Sequence, residues 1–189
     1  NTAPLEKALR SAIALGLVEI YQARYFVSRL LVPLVADELS DEEQKAIYSQ
    51  VAEGLYQLWW VGDSFIGLEE ATELSHIAKQ GEQKLIFSKV AGSLANKLDA
   101  VCRYDEGKAL YDELLPIFRE IGDKSGEGTT LNNISQIYDA RGDYETALGY
   151  LQQSLAIQQE IGDKSGEGTT LNNISQIYKA EDRRETELC

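Results

Sequence analysis

A long identical repeat constrains the fold of this chain more than any other feature. The segment EIGDKSGEGTTLNNISQIY occupies residues 120–138 and returns letter for letter at residues 160–178, a shift of 40 residues. Residues 81–121 form a diverged copy at the same shift, and residues 40–80 form a fainter one. A fixed period of this length indicates an array of one small supersecondary unit that stacks on its own copies. Residues 1–39 do not align convincingly with any copy.

Each repeat has the periodicity of two amphipathic helices. Leu131, Ile134 and Tyr138 recur at i, i+3 and i+7, which places them on one face of a helix. Residues 144–155 keep the same rhythm and predict a second helix. Between the two lies Arg-Gly-Asp at residues 141–143, where the glycine can end one helix and the aspartate can cap the next. Because the turn is short, the pair is predicted to form an antiparallel hairpin.

These hairpins predict an all-α fold in which the whole chain is a single α-solenoid. A lone amphipathic hairpin leaves one face uncovered, and stacking the next hairpin on it buries that face. The predicted parts in chain order are divergent N-terminal helices, a diverged repeat, two clear repeats and an incomplete C-terminal repeat: residues 1–39, 40–80, 81–121, 122–161 and 162–189.

The last repeat departs from the pattern after residue 178. Asp182, Arg184 and Glu187 stand where the preceding repeat has a glycine, a tyrosine and an alanine, so the final hairpin is incomplete. Either this polar ending caps the array, or a cut chain leaves the face of residues 166–180 uncovered. The second alternative predicts self-association through the incomplete repeat.

One unit carries small and apolar residues at the spacings of the tetratricopeptide repeat signature: Leu131, Ile134, Ser135, Tyr138, Ala147, Leu151 and Ser154. The chain therefore resembles the tetratricopeptide repeat family over roughly residues 40–178, most clearly over residues 81–178. Its period exceeds the usual one of about 34 residues and is similar to that of kinesin light chains, Leu-Gly-Asn-type spindle adaptors and bacterial signalling arrays. The resemblance implies a right-handed superhelix whose concave groove, lined by the first helix of each hairpin, binds a peptide or protein segment.

The charge balance limits the partners that the chain can attract. It has 18 basic and 31 acidic side chains and a net charge of −13, and such a surface repels the phosphate backbone of nucleic acid. We therefore expect a neutral to basic protein or peptide partner and no nucleic acid, although an acidic surface can also serve solubility alone. No apolar run is long enough to span a membrane, and the two distant cysteines fit a reducing compartment. We expect a cytoplasmic protein with no membrane partner.

Polar side chains on the first helices are the predicted ligand-binding residues. The resemblance assigns these helices to the groove, and amide side chains both donate and accept the hydrogen bonds of an extended peptide. Carboxylates on the same side favour a basic segment, and one of two adjacent tryptophans offers an aromatic anchor. The predicted peptide-binding residues are Asn96, Asp99, Asn132, Asn133, Gln136, Asp139, Asn172, Asn173, Gln176 and Trp59. The alternative interpretations are duplication of a solvated face for the amides and core packing for the tryptophan.

Catalytic, metal and cofactor sites find no support in the residue pattern. His76 is the sole histidine, so neither a histidine cluster for a metal nor a triad with a second imidazole can be assembled. The GDKSGEGTT joint lacks the Gly-Lys-Ser/Thr ending of a phosphate-binding loop. We therefore expect a non-enzymatic interaction scaffold that needs no cofactor. The alternative is a regulatory or sensor array excised from a larger signalling ATPase or protease, in which it packs on its own effector domain.

Overall fold

The computed structural model describes four stretches of the chain, residues 18–21, 24–27, 40–61 and 67–187. The contacts within the chain divide it into two compact units, Asn1–Tyr48 and Ser49–Cys189. The prediction of one solenoid over the whole chain therefore does not hold, because the first unit is compact by itself and contains paired strands.

The first unit contains a β-hairpin. Strand β1 (Val18–Tyr21) pairs antiparallel with strand β2 (Arg24–Val27). The helices predicted for residues 1–39 are therefore wrong at these two segments, and the rest of that range lies outside the described residues. Two physical reasons favour strands here. VEIY and RYFV are rich in β-branched and aromatic side chains, which suit extended backbone, and the short separation between them suits a tight hairpin.

Seven α-helices are present in the described residues beyond the hairpin: α1 (Asp41–Leu55), α2 (Leu68–Gln80), α3 (Lys84–Ala100), α4 (Tyr104–Ile121), α5 (Lys124–Ala140), α6 (Tyr144–Ile161) and α7 (Lys164–Glu187). A π-helical segment, Tyr56–Val61, continues α1. From α3 onward each helix begins 20 residues after the previous one, so a first and a second helix together give the period of the sequence repeat. The predicted all-α helical-repeat fold is confirmed in these helices.

Residues with left-handed backbone conformation recur in the turns between the helices. Gly122, Gly142 and Gly162 have φ angles of 73°, 74° and 72°. Glu82 and Cys102 occupy the same place in the preceding turns, with φ angles of 51° and 60°. Glycine adopts this conformation without the steric cost that a β-carbon adds. The turns therefore keep one geometry along the array, and two of them carry residues that are strained in it.

Aspartates cap the helices that follow these turns. The carboxylate of Asp123 accepts a hydrogen bond from the backbone N–H of Gly126 at 2.8 Å, and that of Asp143 accepts one from Thr146 at 3.2 Å. Each bond satisfies a backbone N–H that the first turn of a helix leaves unpaired. Gly126 also lets the joint between repeats close tightly, because a β-carbon there would lie 2.5 Å from the ring of Phe118.

Small and apolar side chains pack the helices together. Ser135 on α5 and Ala147 on α6, the small residues of the signature, are fully buried. Leu131, Ile134 and Leu151 fill the interior around them. One hydrophobic cluster extends from the end of α1 to α5, and a smaller one joins α6 to α7. In the described part of the chain no helix is both long enough and apolar enough to cross a membrane.

Helix α7 runs past the point where α5 ends. Helix α5 stops at Ala140, whereas α7 continues to Glu187. Asp182 stands where Gly142 supplies the left-handed residue, and a residue with a β-carbon favours continuing the helix over adopting that conformation. Within the described residues, α7 is therefore not followed by a second helix of its own repeat.

Candidate functional site

The first helices of successive hairpins form a groove. A cavity of about 570 Å³ lies between α3, α5 and α7, and Tyr104 of α4 and Leu151 of α6 also line it. Residues at positions 96, 136 and 176 differ by one repeat period and fall on the same face of these three helices. The repeat therefore brings chemically similar side chains to one surface.

Most of the predicted binding residues line this cavity: Asn96, Asp99, Asn133, Gln136, Asp139, Asn173 and Gln176. Three do not. Trp59 is half-buried and packs against the main hydrophobic cluster, as its core-packing interpretation expects. Asn172 is exposed outside the cavity, because no further first helix follows α7 in the described residues.

Asn132 is the third exception and has a structural role. It is only 7% exposed, and its Oδ1 accepts hydrogen bonds from Asn173 Nδ2 at 3.1 Å and from Thr170 Oγ1 at 3.4 Å. These bonds join α5 to α7. Consecutive helical residues point about 100° apart, so Asn132 and Asn133 cannot both face the groove. The structure therefore places the amide of Asn132 between α5 and α7, outside the cavity lining.

A polar network forms the floor of the groove where α3, α4 and α5 meet. Asn133 Nδ2 donates to Asn96 Oδ1 at 2.8 Å. The hydroxyl of Tyr111, which is buried on α4, lies 2.7 Å from Asn96 Oδ1 and 2.8 Å from Asp99 Oδ2. A phenol carries one proton, so the two acceptors share a single donor. Sequence reasoning missed Tyr111 because Leu151 takes its place in the next repeat.

Burial controls the protonation of this network. Removal from water raises the pKa of Asp99, and the hydrogen bond from Tyr111 partly offsets that rise. The other carboxylate oxygen, Oδ1, is buried without a hydrogen-bond partner and faces Gly107 of α4. Burial, together with the neighbouring carboxylate, raises the pKa of Tyr111. The phenol therefore stays protonated, and the ionisable group at the groove floor is the carboxyl of Asp99.

The charged side chains in the cavity lining are all acidic. Asp99 on α3 and Asp139 on α5 are one repeat period apart, and no lysine, arginine or histidine is among the residues that line this cavity. Lys179 holds the corresponding position on α7, outside the lining. The groove therefore presents amide, hydroxyl and carboxylate groups, which suit a ligand with exposed peptide groups and positive charge.

Comparison with protein families agrees with this architecture. The tetratricopeptide repeat family model matches residues 93–160, which extend from α3 into α6 and include much of the groove. Residues 93–160 therefore carry the sequence pattern of tetratricopeptide repeats. Repeats of this family generally mediate interactions between proteins. No protein with a curated description matches the chain by sequence.

Several solved structures are similar to this chain. Aspartyl phosphate phosphatase F from Bacillus subtilis has a TM-score of 0.57 and 16% identity, with 78% of this chain covered but only 38% of that protein. BtubC from P. vanneervenii gives 0.49 and 19%, covering 76% and 67% of the two chains. A putative kinesin light chain from Podosopora anserina with nearly identical repeats gives 0.44 and 16%, covering 83% and 76%. At such identities the likeness concerns the fold alone.

Proposed function

We propose that this chain is a non-catalytic interaction module that holds an extended polypeptide segment in the groove between α3, α5 and α7. The observation that carries the proposal is the cavity of about 570 Å³ lined by amides on α3, α5 and α7. An extended segment exposes both N–H and C=O groups, and each must find a partner when it leaves water. Asparagine and glutamine side chains supply donors and acceptors together.

The acidic lining supports a neutral to basic segment as the ligand. Asp99 and Asp139 are the charged groups of the lining, and the chain as a whole has a net charge of −13. A field of this sign attracts lysine and arginine side chains and repels phosphates. Peptides with negative charge and nucleic acids are therefore poor partners under this proposal.

Selection of ligands from a peptide library tests the proposal without a known partner. Random extended 12-residue peptides displayed on phage are selected on the immobilised chain, and the enriched sequences are remade as labelled peptides. We expect enrichment of lysine and arginine over glutamate. Replacing Gln136 and Gln176 by alanine removes two exposed amides of the lining and is expected to weaken binding roughly tenfold, a change of about 1.4 kcal/mol.

Asn172→Ala is the matched control for that variant. Asn172 is an exposed amide on α7, as Gln176 is, but it lies outside the cavity lining. Its loss is expected to leave the affinity unchanged. If the double glutamine variant binds the selected peptides as tightly as the unmodified chain does, the groove is not the binding site.

Three further features are predicted from the sequence alone. They are cytoplasmic location, self-association through the incomplete C-terminal repeat, and the alternative of a regulatory array within a larger signalling protein. In that alternative the array packs on its own effector domain. Sedimentation of the chain alone tests self-association.

A further inference from the structure

Equivalent carboxylates of two successive repeats have different surroundings in the groove. Asp99 on α3 and Asp139 on α5 are one period apart, and both line the cavity. Because their places in the repeat are the same, a difference in what they can bind comes from the side chains of the second helices, α4 and α6, that follow them in the chain.

Asp99 is held by helix α4. Its Oδ2 accepts a hydrogen bond from the hydroxyl of Tyr111 at 2.8 Å. Its Oδ1 is buried against Gly107, where an added β-carbon would clash with the carboxylate. This close approach depends on a hydroxyl at one position of α4 and on the absence of a side chain at another. The carboxylate of Asp99 is therefore directed at α4.

Helix α6 offers Asp139 neither of these features. Leu151 stands where α4 has Tyr111, and Ala147 stands where α4 has Gly107. Among the described residues, the carboxylate of Asp139 has no hydrogen-bond or ion-pair partner. The side chain is half-buried and lines the cavity. Asp139 therefore presents two acceptor oxygens that the protein itself does not use.

The end of α5 adds to the negative potential at this carboxylate. Asp139 lies in the last turn of α5, which ends at Ala140 and contains no basic residue. The last turns of α2, α3 and α4 contain Lys79, Lys97 and Arg119. The C-terminal end of a helix carries partial negative charge, so an acidic residue there is unfavourable and a cation is attracted. Asp139 is thus placed where a positive ligand group gains from both the side chain and the helix.

The hydrogen-bond donors of the lining do not balance this surplus of acceptors. The hydroxyls of Tyr104, Ser135 and Thr169 donate within the protein, to Cys102 Sγ and to backbone oxygens of α5 and α7. The amides supply donors and acceptors in similar numbers, whereas the carboxylates only accept. The groove therefore suits a ligand group that only donates.

We propose that Asp139 is the residue that determines charge specificity, and that it binds one basic side chain of the segment held in the groove. The assignment rests on the proposed function and names the ligand group that the groove recognises. Arginine fits best, because its planar guanidinium has five donors and no acceptor and can bond both oxygens of one carboxylate. The ammonium of lysine lacks this fork. Asp99 does not share the role, because α4 already holds its carboxylate.

Replacing arginine by citrulline in the ligand tests the assignment. Citrulline keeps the length and planarity of arginine but has no charge. The probe is a fluorescein-labelled peptide from the library selection, made with arginine, lysine or citrulline at each basic position in turn. Binding is measured by fluorescence anisotropy. At one position we expect citrulline to weaken binding to the unmodified chain roughly fivefold or more, with lysine in between. In Asp139→Asn the same replacement is expected to change binding less than about twofold.

Asp99→Asn is the comparison variant. It removes a charge of the same sign from the same lining, one repeat away. The change alters the network around Tyr111 and is expected to weaken the arginine and citrulline peptides alike. The ratio of the two affinities is therefore expected to stay within about twofold of that in the unmodified chain. This ratio reports charge recognition, because a general disturbance of the groove affects both peptides.

Thermal unfolding of Asp139→Asn provides a test without a ligand. A carboxylate that serves the ligand and opposes the helix dipole is expected to cost the chain stability. At low ionic strength the variant should therefore unfold at a midpoint about 1 to 3 °C higher than the unmodified chain. A lower midpoint would show that the carboxylate has a structural role, and it would overturn the assignment.

Two outcomes of the binding experiment would also overturn the assignment while leaving the proposed function intact. One is selected peptides that bind the groove without any basic residue. The other is a preference for arginine over citrulline that persists in Asp139→Asn or that is lost in Asp99→Asn instead. If the library yields no peptide that binds the chain, the proposed function fails together with this assignment.

Discussion

The hydroxyl of Tyr111 on α4 lies 2.8 Å from the carboxylate of Asp99 on α3. The same hydroxyl lies 2.7 Å from the amide oxygen of Asn96. Asp99 and Asn96 line the groove, while Tyr111 is buried behind them. A second helix of the repeat therefore positions two side chains that line the cavity, and the shape of the groove depends on a residue buried behind its lining.

Removing the hydroxyl of Tyr111 is expected to destabilise the chain. In Tyr111→Phe the oxygens of Asp99 and Asn96 lose their shared donor while the ring still fills its place. The expected loss is about 1 to 2 kcal/mol in the free energy of unfolding, typical of a buried acceptor left without its donor. Urea denaturation at neutral pH, followed by circular dichroism, measures it.

Tyr104→Phe is the control for that change. The hydroxyl of Tyr104 contacts Cys102 Sγ at 3.7 Å in an exposed position, which is a weak interaction. Its removal is expected to change the free energy of unfolding by less than about 0.5 kcal/mol. Equal losses in the two phenylalanine variants would contradict the role given to Tyr111.

Asp99 gives the chain a component of stability that falls as pH rises. Burial raises the pKa of Asp99 in the folded state, so the folded chain holds this proton more tightly than the unfolded chain does. The resulting stabilisation is complete below the ordinary aspartate pKa of about 3.9 and is lost as pH rises through the higher folded-state value. Asp99→Asn lacks this titration. Its free energy of unfolding relative to the unmodified chain is therefore expected to increase between about pH 3 and pH 7.

Glu167→Gln is expected to show the opposite trend. Hydrogen bonds from Lys164 and Gln159 lower the pKa of Glu167, so its stabilising effect is present above the ordinary glutamate pKa and is lost as pH falls through the folded-state value. The variant is thus expected to lose stability relative to the unmodified chain as pH rises. Urea titrations of the three proteins at matched pH provide the comparison. A pH-independent difference for Asp99→Asn would refute the assigned role of burial.

Adding a single methyl group at the joint between repeats is expected to destabilise the chain. Gly126→Ala places a β-carbon 2.5 Å from the buried ring of Phe118, and overpacking of this kind costs about 1 to 3 kcal/mol. Gly149→Ala is the control, because nothing lies within 4 Å of that position on α6. In an open helix interior, alanine in place of glycine is expected to stabilise by about 1 kcal/mol. Thermal unfolding of both variants tests the contrast in sign.

Glycine in place of Cys102 is expected to stabilise the turn after α3. Cys102 has a φ angle of 60°, in the region where glycine is found in the three later turns. Relief of the left-handed strain outweighs the added entropy of the unfolded chain by about 0.5 kcal/mol. The reciprocal change, Gly142→Ala, introduces that strain and is expected to cost about 1 kcal/mol. A stabilised Gly142→Ala variant would disprove this account of the turns.

The repeat made most of the helical architecture predictable. The spacing of Leu131, Ile134 and Tyr138 predicts one helical face, and the period of 40 residues predicts that the helical hairpins stack on one another. The hairpin of Val18–Tyr21 and Arg24–Val27 was not anticipated. Apolar residues in such short runs fit a strand and a buried helix equally well by periodicity alone, and no repeat copy exists there to decide between them.

The groove residues were only partly predictable because sequence identity does not fix a residue's neighbours. The period placed Gln136 and Gln176 on the same surface, and both line the cavity. It could not show that Asn133 lines the cavity while the amide of Asn132 bonds between α5 and α7. The sequence also did not reveal which side chains of the second helices contact the first helices. Gly126 faces the ring of Phe118, whereas its identical counterpart Gly166 faces the amide of Gln158.

Photo-crosslinking tests the central claim, that the groove between the first helices holds a polypeptide segment. Benzoylphenylalanine is placed at position 136 or 176 in the groove, or at exposed position 152 on α6 as the control. Each chain is irradiated with a peptide selected on the unmodified protein, and adducts are mapped by mass spectrometry. The account predicts adducts at positions 136 and 176 and none at 152. Adducts at 152 with none in the groove would contradict it.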